Sequence, residues 1–138
     1  MTNSTETFLA LDVGEKRIGV AKGDTGVRLA FALETVMVDG SELARIKKMY
    51  ESERASALVV GYPRNQSGEA TKQTAYVEQV VKPLQQEGYT IIFQDESLTS
   101  VLAEQHLKQG GKTYTKADID AHAARIILQD YLDQKVRV

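Results

Sequence analysis

The chain contains no cysteine, and it has no apolar run approaching the ~20 residues that a membrane-spanning helix needs. The lack of cysteine excludes disulfide bonds and thiolate-bound metals, and it suits a reducing compartment. Residues 1–7 are polar and do not form the apolar core of a secretion signal. We therefore expect a cytoplasmic protein with no membrane partner.

Strong charge of one sign is also missing, because 17 basic and 19 acidic residues leave a formal net charge of −2. This balance excludes a protein that holds nucleic acid by an overall positive field, although local basic patches are compatible with it. The hydrophobic share of 42% and the charged share of 26% are those of an ordinary globular protein. We expect one domain at residues 7–138, preceded by a flexible tail at residues 1–6.

Five stretches have the apolar, β-prone composition of buried strands. They are residues 7–13, 17–22, 29–36, 57–61 and 89–93. The turn at Gly14-Glu15 predicts a hairpin between the first two, and residues 62–68 read as a polar loop. Helical spacing of apolar residues follows each of the last three strands, and a further helix begins at Thr115. The order β-β-β-α-β-α-β-α-α predicts an α/β fold, with a five-stranded mixed sheet and helices on its faces.

Several helix ends carry recognisable signals. Ser41 or Asp39 is available to cap the first helix, and Gly110-Gly111 is expected to end the third. Thr115 with Asp118 resembles a capping box at the start of the last helix, with Asp in place of the usual Glu.

Acidic residues occupy positions that packing alone does not explain. Asp12 closes the apolar run of the first strand just before a glycine turn, and Asp95 and Glu96 follow the fifth strand. Asp120 lies on the apolar stripe of the last helix, within about 60° of four largely apolar positions between residues 123 and 131. Because ligands gather at the carboxyl ends of parallel strands, we expect these acids to converge if strands one, four and five are neighbours.

Clustered carboxylates repel each other, and a pair at 4 Å costs about 4 kcal/mol at an effective dielectric constant of 20. Lys16 and Arg17 lie beyond the turn and are not expected to cancel this charge. Mg²⁺ or Mn²⁺ would do so, since hard cations prefer oxygen ligands. Two such ions about 3.5–4 Å apart activate water and stabilise the leaving oxygen of a phosphodiester. The pattern therefore predicts metal-dependent phosphodiester hydrolysis.

Each acid taken alone has a simpler interpretation. Asp12 is compatible with a turn residue that accepts backbone hydrogen bonds, and either Asp95 or Glu96 with a solvated loop acid. Asp120 is compatible with an acid favoured by the dipole at a helix N-terminus, although its core-facing position argues against this. The three positions together are the stronger signal, because they converge under one topology only.

Four segments resemble the YqgF/RuvX family, whose members have the ribonuclease H-like fold and are related to the RuvC Holliday-junction resolvases. The segments are Asp12–Ala21, Val59–Pro63, Asp95–Thr99 and Asp120–Ala124. The resemblance runs from about residue 7 to residue 134. It implies a nuclease that matures the 5′ end of pre-16S ribosomal RNA or, alternatively, resolves Holliday junctions.

The resemblance implies a catalytic, metal-binding site formed by Asp12, one acid of the pair after strand five, and Asp120. Within the pair, Glu96 is the first choice and Asp95 the reserve. The expected ions are Mg²⁺ or Mn²⁺, bound as a pair. We expect Asp12→Asn and Asp120→Asn to abolish cleavage, to leave the metal-free fold intact and to raise its stability slightly.

Two positions depart from the family pattern: Ser97 stands where arginine is usual, and Tyr62 where leucine is usual. The loss of that arginine removes a phosphate contact or an ion-pair partner of the acid pair, which affects substrate affinity more than hydrolysis.

Basic and amide side chains near the predicted site are candidates for binding the phosphates of nucleic acid, or are simply solvated loop residues. The candidates are Lys16, Arg17, Arg64 and Asn65. A second basic edge is possible around the Gly110-Gly111 loop, formed by Lys108, Lys112 and Lys116. His106 and His122 are expected at the surface, without a ligand role.

The expected partners are a structured rRNA precursor or branched DNA, and ribosomal particles. A second hypothesis is a scaffold that binds nucleic acid without cleaving it; the presence of all three acids favours an enzyme. A third is an actin-like ATPase, but such proteins need two domains around the nucleotide, and this chain has the length of one. The sequence does not indicate the oligomeric state, although symmetric junction cutting requires a dimer.

Overall fold

The structure is a computed structural model that describes residues 5–63, 69–96, 99–111 and 113–135. It contains five strands, β1 Thr7–Val13, β2 Arg17–Asp24, β3 Ala30–Met37, β4 Ala57–Pro63 and β5 Ile91–Glu96. It contains four helices, α1 Glu42–Ser52, α2 Lys72–Gln86, α3 Thr99–Gln109 and α4 Lys116–Lys135. The predicted order of elements is confirmed. No helix within these ranges is long and apolar enough to cross a membrane.

The strands form one mixed sheet in the order β3-β2-β1-β4-β5. β1, β2 and β3 are antiparallel neighbours, whereas β4 lies parallel to both β1 and β5. Gly14 donates its amide to the carbonyl of Arg17 at 2.9 Å, which closes the predicted β1–β2 hairpin. The carboxyl ends of β1, β4 and β5 therefore lie along one edge of the sheet, as the interpretation of the acids requires.

The two faces of the sheet are covered by different helices. Alternate residues of each strand point to opposite faces, and the buried residues separate accordingly into two clusters. The larger cluster contains Ile46 from α1 and Val77, Val81 and Leu84 from α2. The second cluster is formed by α4 and the other side of the sheet. Asp12 shares its face with Phe8 and Ala10 of the second cluster, so it lies on the α4 side.

Small residues on β2 let α4 approach closely. Gly19, Ala21 and Gly23 stand opposite Asp12, Ala10 and Phe8 of β1, respectively. A β-carbon on Gly23 would come within 3.0 Å of the Leu132 side chain, and one on Gly19 would overlap the backbone of α4. The absence of side chains at these glycines therefore sets how closely α4 lies over the hairpin.

Three strands end at least two residues later than predicted: β2 at Asp24, β4 at Pro63 and β5 at Glu96. Tyr62 and Pro63, assigned from sequence to the loop 62–68, belong to β4, where they pair with Asp95 and Glu96 of β5. Asp95 and Glu96 are therefore the last residues of β5 rather than the start of a loop. Pro63 is compatible with the strand because it lies at its last position, where one missing N–H costs little. Residues 64–68 of the predicted loop, and residues 1–4 of the predicted tail, lie outside the described ranges.

The helix-end predictions are confirmed at α4 and α3. Thr115 donates its amide to Asp118 Oδ2 at 2.8 Å, and Asp118 returns a bond to Thr115 Oγ1 at 3.2 Å, which is the predicted capping box. The backbone leaves α3 at Gly111, whose φ of +70° is the left-handed conformation that ends helices. Ser41 is the N-cap of α1, but its side chain makes no capping bond. Its hydroxyl donates instead to Asp39 Oδ1 at 2.6 Å.

Candidate active site

Asp12 occupies the penultimate position of β1 and is half-buried. It stands directly opposite Gly19 in the antiparallel β1–β2 pair. Residues that stand opposite each other in such a pair project to the same face of the sheet. The face concerned is the one that α4 covers, so Asp12 lies beneath the N-terminal part of that helix.

Asp120 comes close to the same place from above the sheet. The backbone of α4 touches Gly19 at Asp120, because a β-carbon on Gly19 would overlap the Asp120 carbonyl oxygen and lie 2.9 Å from the Ala121 nitrogen. Asp12 thus adjoins Gly19 within the sheet, and Asp120 adjoins it across the helix–sheet interface. Gly19 is the point at which the two predicted acids, 108 positions apart along the chain, are brought together.

Arg17 provides a cation that the sequence reasoning discounted. Its Nε lies 2.7 Å from Oδ2 of Asp120, and the two side chains are only 27% and 20% exposed. The expectation that residues beyond the turn would not neutralise the acids is therefore wrong for Arg17. The hairpin brings Arg17 back to the α4 face, because it lies two residues before Gly19 on β2 and shares its side.

This ion pair changes the effect that we expect Asp120→Asn to have on the stability of the metal-free protein. The expectation from the sequence assumed that the carboxylate is surrounded by like charge, so that its removal relieves repulsion. Since Asp120 is paired with a guanidinium, neutralising it removes an attraction in the metal-free protein.

Positions 95 and 96 at the end of β5 belong to opposite faces of the sheet, because successive strand residues alternate between faces. Asp95 stands beside Tyr62 and is exposed, whereas Glu96 stands beside Pro63. Position 96 continues the alternation of Ile92, which packs against the α4-side cluster, and Gln94, which is 9% exposed. The backbone register therefore favours residue 96 over residue 95 as the neighbour of the α4 face. The Glu96 side chain lies outside the described part of the structure.

A cavity of about 510 Å³ adjoins the end of β5. It is lined by Tyr62, Phe93, Gln94, Asp95 and Gln134. The rings of Tyr62 and Phe93 pack at a centroid distance of 4.9 Å, so Tyr62, which differs from the family's usual leucine, contributes an aromatic wall. Ser97, the other departure, lies outside the described residues.

The donor chemistry of the predicted site fits a hard divalent cation, because Asp12, Glu96 and Asp120 offer carboxylate oxygens only. The gap at Gly19 admits the α4 backbone, so that Asp120 adjoins the glycine that stands opposite Asp12. Within the described residues, which exclude the Glu96 side chain, no group of three Asp, Glu or His side chains is close enough to hold a metal ion. The metal assignment of these three residues stays a prediction.

The N-terminus of α2 supports the same edge of the sheet, through residues that the sequence analysis missed. Gln73 Nε2 donates to the carbonyl of Val13 at 3.1 Å, directly after Asp12. The fully buried Thr74 hydroxyl donates to the carbonyl of Pro63 at the end of β4. Thr71 and Thr74 cap the helix reciprocally. The spacing of these two threonines is the signal that would have predicted this helix start.

The candidate phosphate-binding residues are described only in part. Lys16 is exposed in the hairpin turn, and Lys108 and Lys116 are exposed at the ends of α3 and α4. Arg64, Asn65 and Lys112 lie outside the described ranges. The role of all these residues in binding nucleic acid stays a prediction.

The two histidines join α3 to α4. His106 is exposed, as expected, but its Nδ1 lies 3.2 Å from Nε2 of the half-buried His122. Arg125 Nε donates to His122 Nδ1 at 3.2 Å. Burial lowers the pKa of His122, and the positive charge of Arg125 and the ring of His106 lower it further. A neutral His122 is able to accept the Arg125 bond.

Comparison with known proteins places the chain among nuclease-related sequences. The model of the RuvX family, described as "Holliday junction resolvase", matches residues 6–134. A relative from Chloroflexus aurantiacus (strain J-10-fl) is 41% identical over 135 residues, covering 94% of this chain and 88% of the relative. One from Sulfurihydrogenibium sp. (strain YO3AOP1) is 38% identical over 130 residues, covering 92% and 90%. Both bear the name "Putative pre-16S rRNA nuclease".

Solved structures confirm the expected fold. Thermus thermophilus RuvC in complex with a Holliday junction substrate superposes with a TM-score of 0.57 at 18% identity. The superposition covers 94% of this chain and 95% of RuvC. The five-stranded mixed sheet with helices on its faces is therefore the ribonuclease H-like fold that RuvC has.

Proposed function

Because the chain belongs to the RuvX family, we propose that residues 7–138 form a metal-dependent nuclease that matures the 5′ end of pre-16S ribosomal RNA. The names of the relatives at 41% and 38% identity support this substrate. The observation that supports the proposal is that Asp12 and the backbone of Asp120 both adjoin Gly19, near the edge of the sheet at which α/β proteins bind ligands.

The proposed ligands of Mg²⁺ or Mn²⁺ are Asp12, Glu96 and Asp120. When bound, such ions lower the pKa of water and stabilise the leaving oxygen of a phosphodiester. The protein's own contribution is to hold these carboxylates in place. Asp12 is fixed within the β1–β2 ladder, and Asp120 is fixed by the contact of its backbone with Gly19. Asp95 is the reserve for Glu96, but its place on the opposite face of β5 counts against it.

Substrate phosphates are proposed to contact the basic and amide side chains around this edge, namely Lys16, Arg17, Arg64 and Asn65. Such contacts position a nucleic-acid backbone without reading its sequence. The formal net charge of −2 argues that the contacts are local. The proposed substrate, an rRNA precursor within ribosomal particles, places the enzyme in the cytoplasm.

A second candidate is Holliday-junction resolution, which the description of the family favours. Both reactions break a phosphodiester bond with the same carboxylates, so they differ in the shape of the substrate. Symmetric cutting of a junction needs two active sites related by a twofold axis. The remaining alternative is a scaffold that binds nucleic acid without cleaving it.

Cleavage assays in Mn²⁺ test these functions. The substrates are an RNA carrying a 16S 5′ end with its leader sequence, and a mobile four-way DNA junction. We expect cleavage of the RNA by the wild-type protein and by Glu51→Gln, a matched control at an exposed acid of α1. We expect none by Asp12→Asn. Cleavage of the junction alone would replace the first candidate with the second, and cleavage of neither substrate above the Asp12→Asn background would favour the scaffold.

A further inference from the structure

Arg17 contacts Asp120, which is one of the proposed metal ligands, and this contact affects how a metal ion would bind there. The guanidinium donates one N–H, from Nε, to one oxygen, Oδ2, of Asp120 at 2.7 Å. A guanidinium has five N–H donors and a carboxylate has two oxygens, so this contact leaves each group with further binding capacity. The pair is partly solvated, with 27% of the Arg17 and 20% of the Asp120 side chain exposed.

The position of Arg17 relative to Asp12 follows from the strand register. Arg17 lies across the hairpin from Gly14, to which it is hydrogen bonded. It is therefore a diagonal neighbour of Asp12 on the α4 face, at a Cα separation of about 7–8 Å that a long side chain is able to span. The arginine thus stands beside both proposed ligands, although its observed contact is with Asp120.

We propose that Arg17 is an exchangeable counter-ion: it neutralises Asp120 in the metal-free protein, and it is released toward a substrate phosphate when a divalent ion takes that carboxylate. The proposal rests on the metal-dependent function proposed above. In this role Arg17 is a positioning residue for the ligand set while paired, and a phosphate-binding residue once released.

Electrostatics favours exchange over a permanent pair. Partly exposed ion pairs are weak, because both charges remain solvated and the side chains lose conformational freedom. A divalent ion carries twice the charge and approaches a carboxylate oxygen to about 2.0–2.1 Å. When such an ion binds, Asp120 would therefore exchange the arginine for it. The freed guanidinium offers the planar, bidentate geometry that suits a phosphate.

The exchange also resolves a problem of charge. Without metal, clustered carboxylates would repel one another, and Arg17 reduces that repulsion by pairing with Asp120. With metal, a retained cation beside the ion would be repelled by it. After the metal has bound, a phosphate of the anionic substrate takes the place of Asp120 as the partner of Arg17. Metal and substrate therefore bind cooperatively through Arg17.

Mn²⁺ affinity, measured without nucleic acid by electron paramagnetic resonance of the free ion, tests the competition directly. Arg17→Gln removes the competing cation and should tighten Mn²⁺ binding on the order of fivefold, the factor that matches a pair of about 1 kcal/mol. Arg17→Lys keeps the charge and should stay near wild type. Lys22→Gln is the matched control, because Lys22 is also a β2 cation with an acidic partner, Glu53, at 3.4 Å.

The outcomes separate this proposal from the one on which it rests. Unchanged or weaker Mn²⁺ binding by Arg17→Gln overturns the counter-ion role, and so does an equal gain in the Lys22→Gln control. Failure of the wild-type protein to bind Mn²⁺ overturns the metal-dependent function itself, and this proposal with it.

Two further measurements test the release of Arg17, and the first needs no variant. In wild-type protein, the Arg17 Nε–H signal should shift during a Mg²⁺ titration; a signal unmoved while the amides around Gly19 respond would overturn the exchange. The second measures how the affinity for nucleic acid falls with salt concentration in the presence of Ca²⁺. The slope of log affinity against log salt should be smaller by about one for Arg17→Gln than for wild type, as expected for one lost phosphate contact. Without divalent ions the slope should not change, and an equal reduction in both conditions would overturn the release step.

Discussion

Gly19 and Asp120 touch backbone to backbone: a β-carbon on Gly19 would overlap the carbonyl oxygen of Asp120 and lie 2.9 Å from the Ala121 nitrogen. This contact decides where α4 lies and hence where it carries its acid. A glycine inside a strand commonly marks such a close approach of two backbones. The proposed active site therefore depends on a residue that has no side chain.

Gly19→Ala should displace α4 from the sheet. The new methyl group meets backbone atoms, which cannot rotate away as a flexible side chain does, and overpacking of this kind costs about 1–3 kcal/mol or more. We expect a lower free energy of unfolding in urea and weaker Mn²⁺ binding. Gly110→Ala is the control, since its β-carbon would find its nearest neighbour at 3.4 Å. Equal stability of the two variants would show that α4 adjusts freely.

Asp120→Asn tests the charge balance of the site. The variant should lose cleavage, and the metal-free protein should be destabilised by about 1 kcal/mol, because the Arg17 pair loses its negative partner. A double-mutant cycle with Arg17→Gln, followed by urea unfolding, isolates the coupling between the two side chains. If the metal-free Asp120→Asn protein is more stable than wild type, then repulsion between the carboxylates outweighs the attraction to Arg17.

The sequence predicted the order of elements and the α4 face on which Asp120 lies, because both depend on local composition and periodicity. The parallel placement of β1, β4 and β5 entered only as a condition, because strand pairing is set by the tertiary fold. Sequence reasoning missed the pairing of Arg17 with Asp120, since residues 103 positions apart meet only through the tertiary fold. It also ended β4 too early, because Tyr62-Pro63 has the composition of a loop, whereas pairing with β5 extends the strand. Gly19 is a glycine inside a predicted strand, and this position alone indicates a close approach of another backbone.

Gln73→Ala tests the support that α2 gives to the end of β1. Its side-chain amide donates to the Val13 carbonyl at 3.1 Å, next to Asp12. Loss of one such bond costs about 1 kcal/mol, and the looser strand end should lower the cleavage rate more than the substrate affinity. Gln79→Ala, at an exposed position of the same helix, is the control. Identical kcat values for the two variants would assign Gln73 to stability alone.

Gln129 covers part of an exposed sheet edge. Its side chain accepts a bond from the Ala30 amide at 2.9 Å and donates to the Arg28 carbonyl at 3.0 Å, so it pairs backbone groups at the start of the edge strand β3. Leu29 and Phe31 beside it are each 51% exposed. Gln129→Ala uncovers these groups, and unpaired strand edges with apolar side chains associate readily.

We expect the Gln129→Ala protein to self-associate at concentrations where wild type does not, as measured by sedimentation velocity. Its stability at low concentration should fall by about 1 kcal/mol, since two backbone groups exchange protein partners for water. Gln105→Ala, at an exposed position of α3, controls for the loss of a surface amide. If Gln129→Ala sediments like wild type throughout, then Gln129 has no role in protecting the edge.

Asp130 and Asp39 should affect the pH dependence of stability in opposite directions. Burial, and then the charge of Asp133, raise the pKa of Asp130 above 3.8. Its carboxylate therefore weakens folding at neutral pH, and this penalty disappears as the pH falls below the value for the unfolded chain. Hydrogen bonds from the Ser41 hydroxyl and backbone lower the pKa of Asp39. Its carboxylate therefore stabilises the fold at neutral pH, and that gain is lost as acid protonates it.

Thermal unfolding of Asp130→Asn and Asp39→Asn between pH 7 and pH 2.5 measures both effects. At pH 7, Asp130→Asn should unfold at a higher temperature than wild type and Asp39→Asn at a lower one. Both differences should shrink in acid, because protonation makes the wild-type carboxyl groups increasingly like the neutral amides that replace them. Differences of the same sign at pH 7, or differences that persist unchanged at pH 2.5, would mean that the substitutions act through packing or hydrogen bonding instead of charge.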